Sequence, residues 1–268
     1  MNSLLIGCGN LGKIILDGFY KRKKKIIVFD NNSKVREKIK NKYKKIELFE
    51  CLDQIDWRDI EYIMICVKPN SCKTILKEIK KFCTKKHLVI SFVAGLRLNN
   101  IKECIESKSK VLRIMPNIFI ESNNSATALY SKDLNEKYRK KIVKDFSHFG
   151  VLIWVKQEEK IDFFTVMFGG GPAYFFLILE CLSKINKKNG IENKDSILLI
   201  TSLIEGTLSQ IKRGNINFKE SINKVASKGG TTEEALKILN QKNALNFLFE
   251  KAIDNAKKKS LMISRKIR

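Results

Sequence analysis

The chain has 268 residues, 44% of them hydrophobic and 30% charged, with 14 Gly and 3 Pro. That balance excludes a disordered, collagen-like or low-complexity protein and allows one or two domains with a sizeable core. The net charge of +24 raises a nucleic-acid reading, but 43 of the 52 basic residues are Lys, spread through every segment with short runs at 21–25, 140–141 and 257–259. Arg reads phosphates and bases better, and no aromatic residues interleave the basic runs, so a solvated lysine surface is expected and no nucleic-acid partner.

No apolar run reaches the roughly 18 residues of a membrane span. Met1-Asn2-Ser3 puts no basic segment ahead of Leu4-Leu5-Ile6, so neither a signal peptide nor a membrane partner is expected, and the chain reads as soluble and cytoplasmic. The seven cysteines (8, 51, 66, 72, 83, 104, 181) are odd in number and lack a Cys-x-x-Cys pair; they read as reduced, mostly buried thiols. With only His87 and His148 available, no metal is expected.

In chain order, Leu4–Ile6 reads as a buried strand, followed by a glycine-rich turn at 7–12 and an amphipathic helix to about Lys23. Ile26–Phe29 is a second strand and Ser33–Lys42 a second helix; Tyr62–Val67 is a strand, Ser71–Phe82 a helix, and Leu88–Phe92 and Val111–Ile114 strands. Ala126–Tyr130 and Val151–Val155 read as two further strands with a helix near 134–148 between them. Buried strands joined by helices imply a parallel, doubly wound α/β sheet. After about residue 157 only helical periodicity remains, broken at Gly169-Gly170-Gly171-Pro172, Lys188-Asn189-Gly190, Gly214 and Gly229-Gly230. The expected organisation is a Rossmann-type dinucleotide-binding domain at 1–157 and an all-α domain at 158–268.

The turn Gly7-Cys8-Gly9-Asn10-Leu11-Gly12 is a G-x-G-x-x-G placed directly after a strand and opening a helix. Its glycines permit a tight turn, close approach to a pyrophosphate and close helix–strand packing, while the helix N-terminus attracts the anion. Asp30, at the end of the second strand, would accept from a ribose 2′-hydroxyl; Asn31, Asn32, Ser33 and Lys34 could instead hold a 2′-phosphate. NADH and NADPH therefore both stay open. Val67-Lys68-Pro69-Asn70, Ala94-Gly95 and Met115-Pro116-Asn117 follow strand ends, where doubly wound sheets bind ligands.

In the second half, Gly169–Tyr174 carries more glycine than a helix start requires. Ser227-Lys228-Gly229-Gly230-Thr231-Thr232 opens another helix, with Thr231 and Glu234 at capping-box spacing and a run of amides able to hold a carboxylate.

Taken together, these residues resemble the pyrroline-5-carboxylate reductase family. The matching segments are Gly7–Gly12, Val67-Lys68-Pro69, Ser91 with Ala94-Gly95, Met115-Pro116-Asn117, Gly171-Pro172-Ala173-Tyr174 and Ser227–Thr232, in order over nearly the whole chain. The resemblance implies NAD(P)H-dependent reduction of 1-pyrroline-5-carboxylate to L-proline, usually with NADPH. It also implies a homodimer through the helical domain, with dimers able to form rings, and an active site between one subunit's cofactor and its partner's helical domain. By position it implies Thr232 near the substrate nitrogen, with Asn117, Glu158, Gly171, Ser227, Gly229, Gly230 and Thr231 as the remaining substrate contacts. Cofactor contacts would come from Gly7, Cys8, Gly9, Asn10, Leu11, Gly12, Asp30, Asn31, Val67, Lys68, Pro69, Asn70, Ala94 and Gly95.

This chain departs from the family pattern at Ile118-Phe119 (usually Thr-Pro), Lys228 (commonly Pro) and Asn223 (often Asp). Two other readings fit parts of this pattern. A β-hydroxyacid dehydrogenase would need a catalytic Lys on the first long helix of the second domain, where Lys184, Lys187 and Lys188 come only at the far end. A non-catalytic nucleotide- or RNA-binding protein would use the basic surface.

Overall fold

The computed structural model describes residues 2–106 and 108–267. They form two compact units, one of Met1–Pro172 with Ala256–Arg268 and the other of Ala173–Asn255.

The first unit is built on an eight-stranded sheet: β1 (Asn2–Ile6), β2 (Ile26–Phe29), β3 (Glu47–Phe49), β4 (Ile60–Ile65), β5 (Leu88–Ser91), β6 (Lys110–Met115), β7 (Ser125–Tyr130) and β8 (Gly150–Trp154). Their order is β3-β2-β1-β4-β5-β6-β7-β8, reversing direction at β1, between β2 and β4. The order of the elements places the glycine turn after β1 at that switch point, where ligands bind in open α/β sheets.

Among the helices of this unit are α1 (Asn10–Lys21), α2 (Ser33–Lys42), α3 (Pro69–Ile79), α4 (Leu98–Cys104) and α5 (Glu136–Phe146). Alternation along the strands splits the core into two clusters. Leu4, Ile6, Ile63 and Ile65 face the side that receives Cys72, Ile75, Leu76 and Ile79 of α3. Leu5, Tyr62, Met64 and Ile90 face the side that receives Ile15, Leu16 and Phe19 of α1. The i, i+3, i+4, i+7 spacing on α3 puts its four side chains on one stripe, and each such fully buried side chain contributes about 1.5–3 kcal/mol.

The sheet departs from the all-parallel expectation at one pairing: β6 and β7 run antiparallel, with Arg113 opposite Tyr130. Only residues 116–124 join them, containing a 3₁₀ turn at Ile118–Ser122 that ends on Asn123 at φ +59°. A parallel return needs about a dozen residues or more, so this connection reverses the chain. Two elements escaped the periodicity. β3 is a three-residue edge strand of exposed and half-buried side chains, and α4 is a seven-residue helix with two buried positions.

All seven cysteines are free thiols. Burial pushes the Cys8 and Cys72 thiols up to about 12, but Cys51 and Cys181 are exposed, which corrects the expectation for those two. Among the described residues no group of three His, Cys, Asp or Glu is arranged to hold a metal ion.

Beyond β8 every element is helical: α6 (Glu159–Phe164), a π-helical turn at Thr165–Gly169, α7 (Gly171–Lys188), α8 (Asn193–Lys212), α9 (Phe218–Val225), α10 (Thr231–Leu239) and α11 (Ala244–Ile267). Gly190 and Gly214, both at φ +80°, end α7 and α8 in the left-handed region that glycine adopts freely. Within the second unit Asn186 Nδ2 donates to the buried Ser196 Oγ at 2.9 Å, tying α7 to α8. Large apolar side chains stay exposed along both, among them Phe175, Phe176 and Leu177 on α7 and Leu198, Leu199 and Leu203 on α8. The continuous helical stretch Glu159–Lys188 is long and apolar enough, by length and composition, to cross a membrane. The expectation that no such stretch exists is corrected there.

His148 sits buried beside Phe19, Phe146 and Phe149, its ring 4.9 Å from that of Phe149. A Cβ on Gly18 of α1 would lie 2.9 Å from the imidazole, so glycine lets α1 approach it. Burial, reinforced by Arg22 and Lys24, lowers the His148 pKa to about 4. The folded state therefore holds the ring neutral where an unfolded chain would protonate it below about 6.5. Stability contributed by the neutral ring should be full above pH 6.5 and fall by about 3 kcal/mol as pH drops to 4. Denaturant unfolding across that range should show this component in the wild type and lose it in His148→Leu.

Candidate functional site

The end of β1 passes into Gly7 at φ +87°, where a Cβ would sit 2.8 Å from Val67 Cγ1. Gly12, one turn into α1, is closer still: its Cβ would lie 2.3 Å from the Gly7 carbonyl oxygen. Gly9 differs, because a Cβ there meets no atom within 4 Å. Two glycines thus serve packing and one keeps a face open. Gly9 is also the N-cap of α1 and makes no side-chain cap bond, so the first-turn amides of Asn10, Leu11 and Gly12 lack intrahelical partners. An uncapped helix start behind an open backbone face suits a phosphate or pyrophosphate.

The Asp30 carboxylate accepts from the amides of Cys8, at 2.7 Å, and Asn32, at 2.9 Å. It pins the glycine turn to the end of β2 and still lines the cleft outside it. That cleft, about 620 Å³, is bordered by Gly7, Gly9, Asp30, Asn31, Val67, Lys68 and Asn70. Its volume, its open Gly9 face and its acidic strand end fit the dinucleotide that the motif predicts.

Pro69 occupies the first turn of α3 behind its N-cap Lys68, where a missing N–H costs nothing. Cys8, Asn10, Leu11 and Gly12 stand in the turn and α1 rather than on the cleft wall, and Ala94 and Gly95 lie outside it. Gly95 has φ +75°, and its missing Cβ gives room to the Ser264 backbone of α11, 3.1 Å away. The cleft also takes in Glu50, Ser71, Thr74 and Glu78, which the motifs did not indicate. The 3–4 spacing of Ser71, Thr74 and Glu78 along one face of α3 was the available signal.

Glu158 and Asn117 belong to a second cluster of the first unit. Glu158 is buried, and its Oε1 accepts from Arg113 Nη1 and the Leu98 amide, both at 2.7 Å. Arg113, 1% exposed, also reaches Asp162 at 3.5 Å, while Arg97 bridges Asp162 at 3.0 Å and Glu159 at 2.7 Å. Asn117 Nδ2 donates at 3.0 Å to the Phe168 carbonyl in the π-helical turn, and its Oδ1 accepts from the Phe119 amide. In that widened turn the Gly170 amide bonds back to Thr165, leading the chain into Gly171, around which space is open.

In the second unit Gly229 has φ +75° and Gly230 is the N-cap of α10. A Cβ on Gly230 would lie 2.7 Å from Ser227 Oγ and 3.0 Å from the Ser227 carbonyl oxygen, so glycine lets the turn pack tightly there. The expected Thr231–Glu234 capping box does not form. Instead Glu233 Oε2 accepts from the Gly229 amide at 2.7 Å, because α10 starts one residue earlier than that box requires, with Gly230 rather than Thr231 as its N-cap. Thr231 and Thr232 fill the first two helical positions, and their amides have no partner within the helix. The turn already holds one carboxylate, its own, on a backbone amide.

The glycine geometry yields a differential test. Gly9→Val should leave the thermal midpoint nearly unchanged and weaken NADP⁺ binding at least a hundredfold by fluorescence titration. Gly12→Ala should instead destabilise the fold itself, since helix and turn must move apart.

Comparison with known proteins places these features. The family model for pyrroline-5-carboxylate reductase dimerisation matches residues 158–263, and that for NADP oxidoreductase, coenzyme F420-dependent, matches 4–95. Pyrroline-5-carboxylate reductase of Staphylococcus aureus is 30% identical over 208 residues, 77% of this chain and 76% of that protein. Among solved structures, 1-pyrroline-5-carboxylate reductase from Streptococcus pyogenes has a TM-score of 0.87 at 25% identity, covering 98% of each chain. Pyrroline carboxylate reductase from Plasmodium falciparum, with NADP bound, has a TM-score of 0.87 at 23% identity over 98% of each chain and so bears on the fold. The chain belongs to the pyrroline-5-carboxylate reductase family.

Proposed function

We propose that this chain reduces 1-pyrroline-5-carboxylate to L-proline with NADPH, the last step of proline synthesis. The observation that carries the reading is the coexistence of an open, uncapped dinucleotide cleft at the sheet's switch point with the Ser227–Thr232 carboxylate turn in one family-matched chain.

A reduced nicotinamide, when bound, supplies a hydride to the imine carbon. The first-turn amides of α1 and the open face of Gly9 hold the pyrophosphate. At the turn, the amides of Thr231 and Thr232 grip the substrate carboxylate, while the Gly230 amide donates to the Ser227 carbonyl and closes the turn beneath them. The Thr232 hydroxyl orients the ring nitrogen, which already carries its proton as an iminium, so hydride addition at the carbon alone gives the amine. A cyclic imine that binds already protonated needs no strong acid, consistent with His87 and His148 both lying buried in the sheet unit. Positioning then supplies the acceleration, and well-oriented reactants gain several kcal/mol from proximity.

Asn117 and Glu158 act at the second cluster, where they set the start of the helical half, and Gly171 keeps backbone open at its first long helix. Domain limits of 1–157 and 158–268 suit this division of labour. The chain oligomerises, and the exposed apolar faces of α7 and α8 support pairing through the helical half. We infer that the turn serves the cofactor of a partner subunit, that dimers assemble further into rings, and that the enzyme works in the cytoplasm without nucleic acid or membrane.

Steady-state kinetics on the cyclic imine with NADPH and NADH test the reading. Turnover with proline formation is expected; tight, salt-sensitive RNA retention without turnover would favour a binding protein instead. Thr232→Ala should lower kcat about tenfold or more while cofactor affinity changes less than twofold. A large loss of cofactor affinity would refute the orienting role.

A further inference from the structure

The far end of the cleft, where β2 stops, decides between a 2′-hydroxyl and a 2′-phosphate on the adenosine ribose. This inference rests on the cofactor reading above and concerns how that choice is made.

Three carboxylates line the cleft: Asp30 at the end of β2, Glu50 just after β3, and Glu78 on α3. Among the described residues lining the cleft, Lys68 is the one cationic side chain. A guanidinium stands nearby, but it is engaged. Arg36 of α2 donates through Nη1 to the Asp30 carbonyl at 2.8 Å and through Nη2 to Glu50 Oε2 at 2.6 Å. The pair is asymmetric: the Arg36 side chain is 20% exposed and that of Glu50 is 65% exposed. The arginine is therefore fixed against the strand end, while the glutamate projects from the edge of the sheet.

We propose that Glu50 is a specificity-determining residue for the cofactor. Its carboxylate neutralises the one arginine placed to meet a 2′-phosphate and adds negative charge to the wall that group would approach. A 2′-phosphate carries between one and two negative charges, so it is disfavoured beside Asp30 and Glu50, whereas a ribose 2′-hydroxyl can donate to either carboxylate. Glu50 thus holds down discrimination in favour of NADPH over NADH, and loss of its charge releases Arg36 to the phosphate. Because Glu50 is mostly exposed, solvent screens the effect and its size is modest.

The test measures binding of two fragments to the full chain by calorimetry, 2′,5′-ADP and 5′-AMP, which differ only in the 2′-phosphate. In Glu50→Gln, 2′,5′-ADP should bind about fivefold tighter while 5′-AMP changes less than twofold, and the NADPH/NADH ratio of kcat/KM should rise in parallel. In Arg36→Gln, 2′,5′-ADP should weaken selectively. Equal changes for both fragments, or none, in Glu50→Gln would overturn the proposal, as would unaltered 2′,5′-ADP binding in Arg36→Gln. Failure of both fragments to bind the wild type would instead reject the cleft as the cofactor site, and the proposal with it.

Discussion

The contact between Gly12 and the Gly7 carbonyl governs where α1 can begin. A single methyl group at position 12 would lie 2.3 Å from that oxygen, far inside van der Waals distance, so the helix sits against the turn only because no side chain intervenes. That approach aims the unpaired amides of the first turn into the switch-point cleft. Asp30 secures the arrangement from the other side by accepting from the Cys8 amide, which couples the end of β2 to the glycine turn. Anion binding, strand order and helix packing are therefore consequences of one close approach.

A second constraint operates where the sheet gives way to helices. Arg113 on β6 and Glu158 before α6 are both buried, and isolated charges there would be costly. The additional bonds to the Leu98 amide and to Asp162 satisfy their remaining polar capacity. Breaking such a buried pair by removing one partner costs about 3–5 kcal/mol, chiefly from the charge left behind. Arg97 extends the network to Glu159, so the entry to α6 is set by electrostatics rather than by apolar packing alone. Asn117 then grips the Phe168 carbonyl at the π-helical turn, fixing the path into Gly171.

Much of this was legible in the residues, because the signals were local. The buried runs Leu4–Ile6 and Ile26–Phe29 and the helix Ser33–Lys42 follow from periodicity, and Gly7–Gly12 announces its turn through spacing. What escaped depended on distant partners. The β6–β7 reversal follows from a nine-residue connection whose length was visible but not weighed, whereas β3 has too few buried positions to show a period. Asp30 could be assigned to a ribose from its place on the strand, yet only coordinates reveal its bonds to Cys8 and Asn32. Likewise Arg36 and Glu50 are fourteen residues apart and meet only because β2 and β3 pair. At α10 the competition between two capping schemes was settled by a one-residue shift of the helix start, which replaced Glu234 by Glu233.

The uncovered phenylalanines and leucines of α7 and α8 carry a thermodynamic corollary. Apolar surface of that extent is costly to leave in water, so in a chain that oligomerises part of the free energy that stabilises each protomer belongs to association. For such a chain resistance to unfolding obeys mass action: it grows with protein concentration, and dilution alone erodes it.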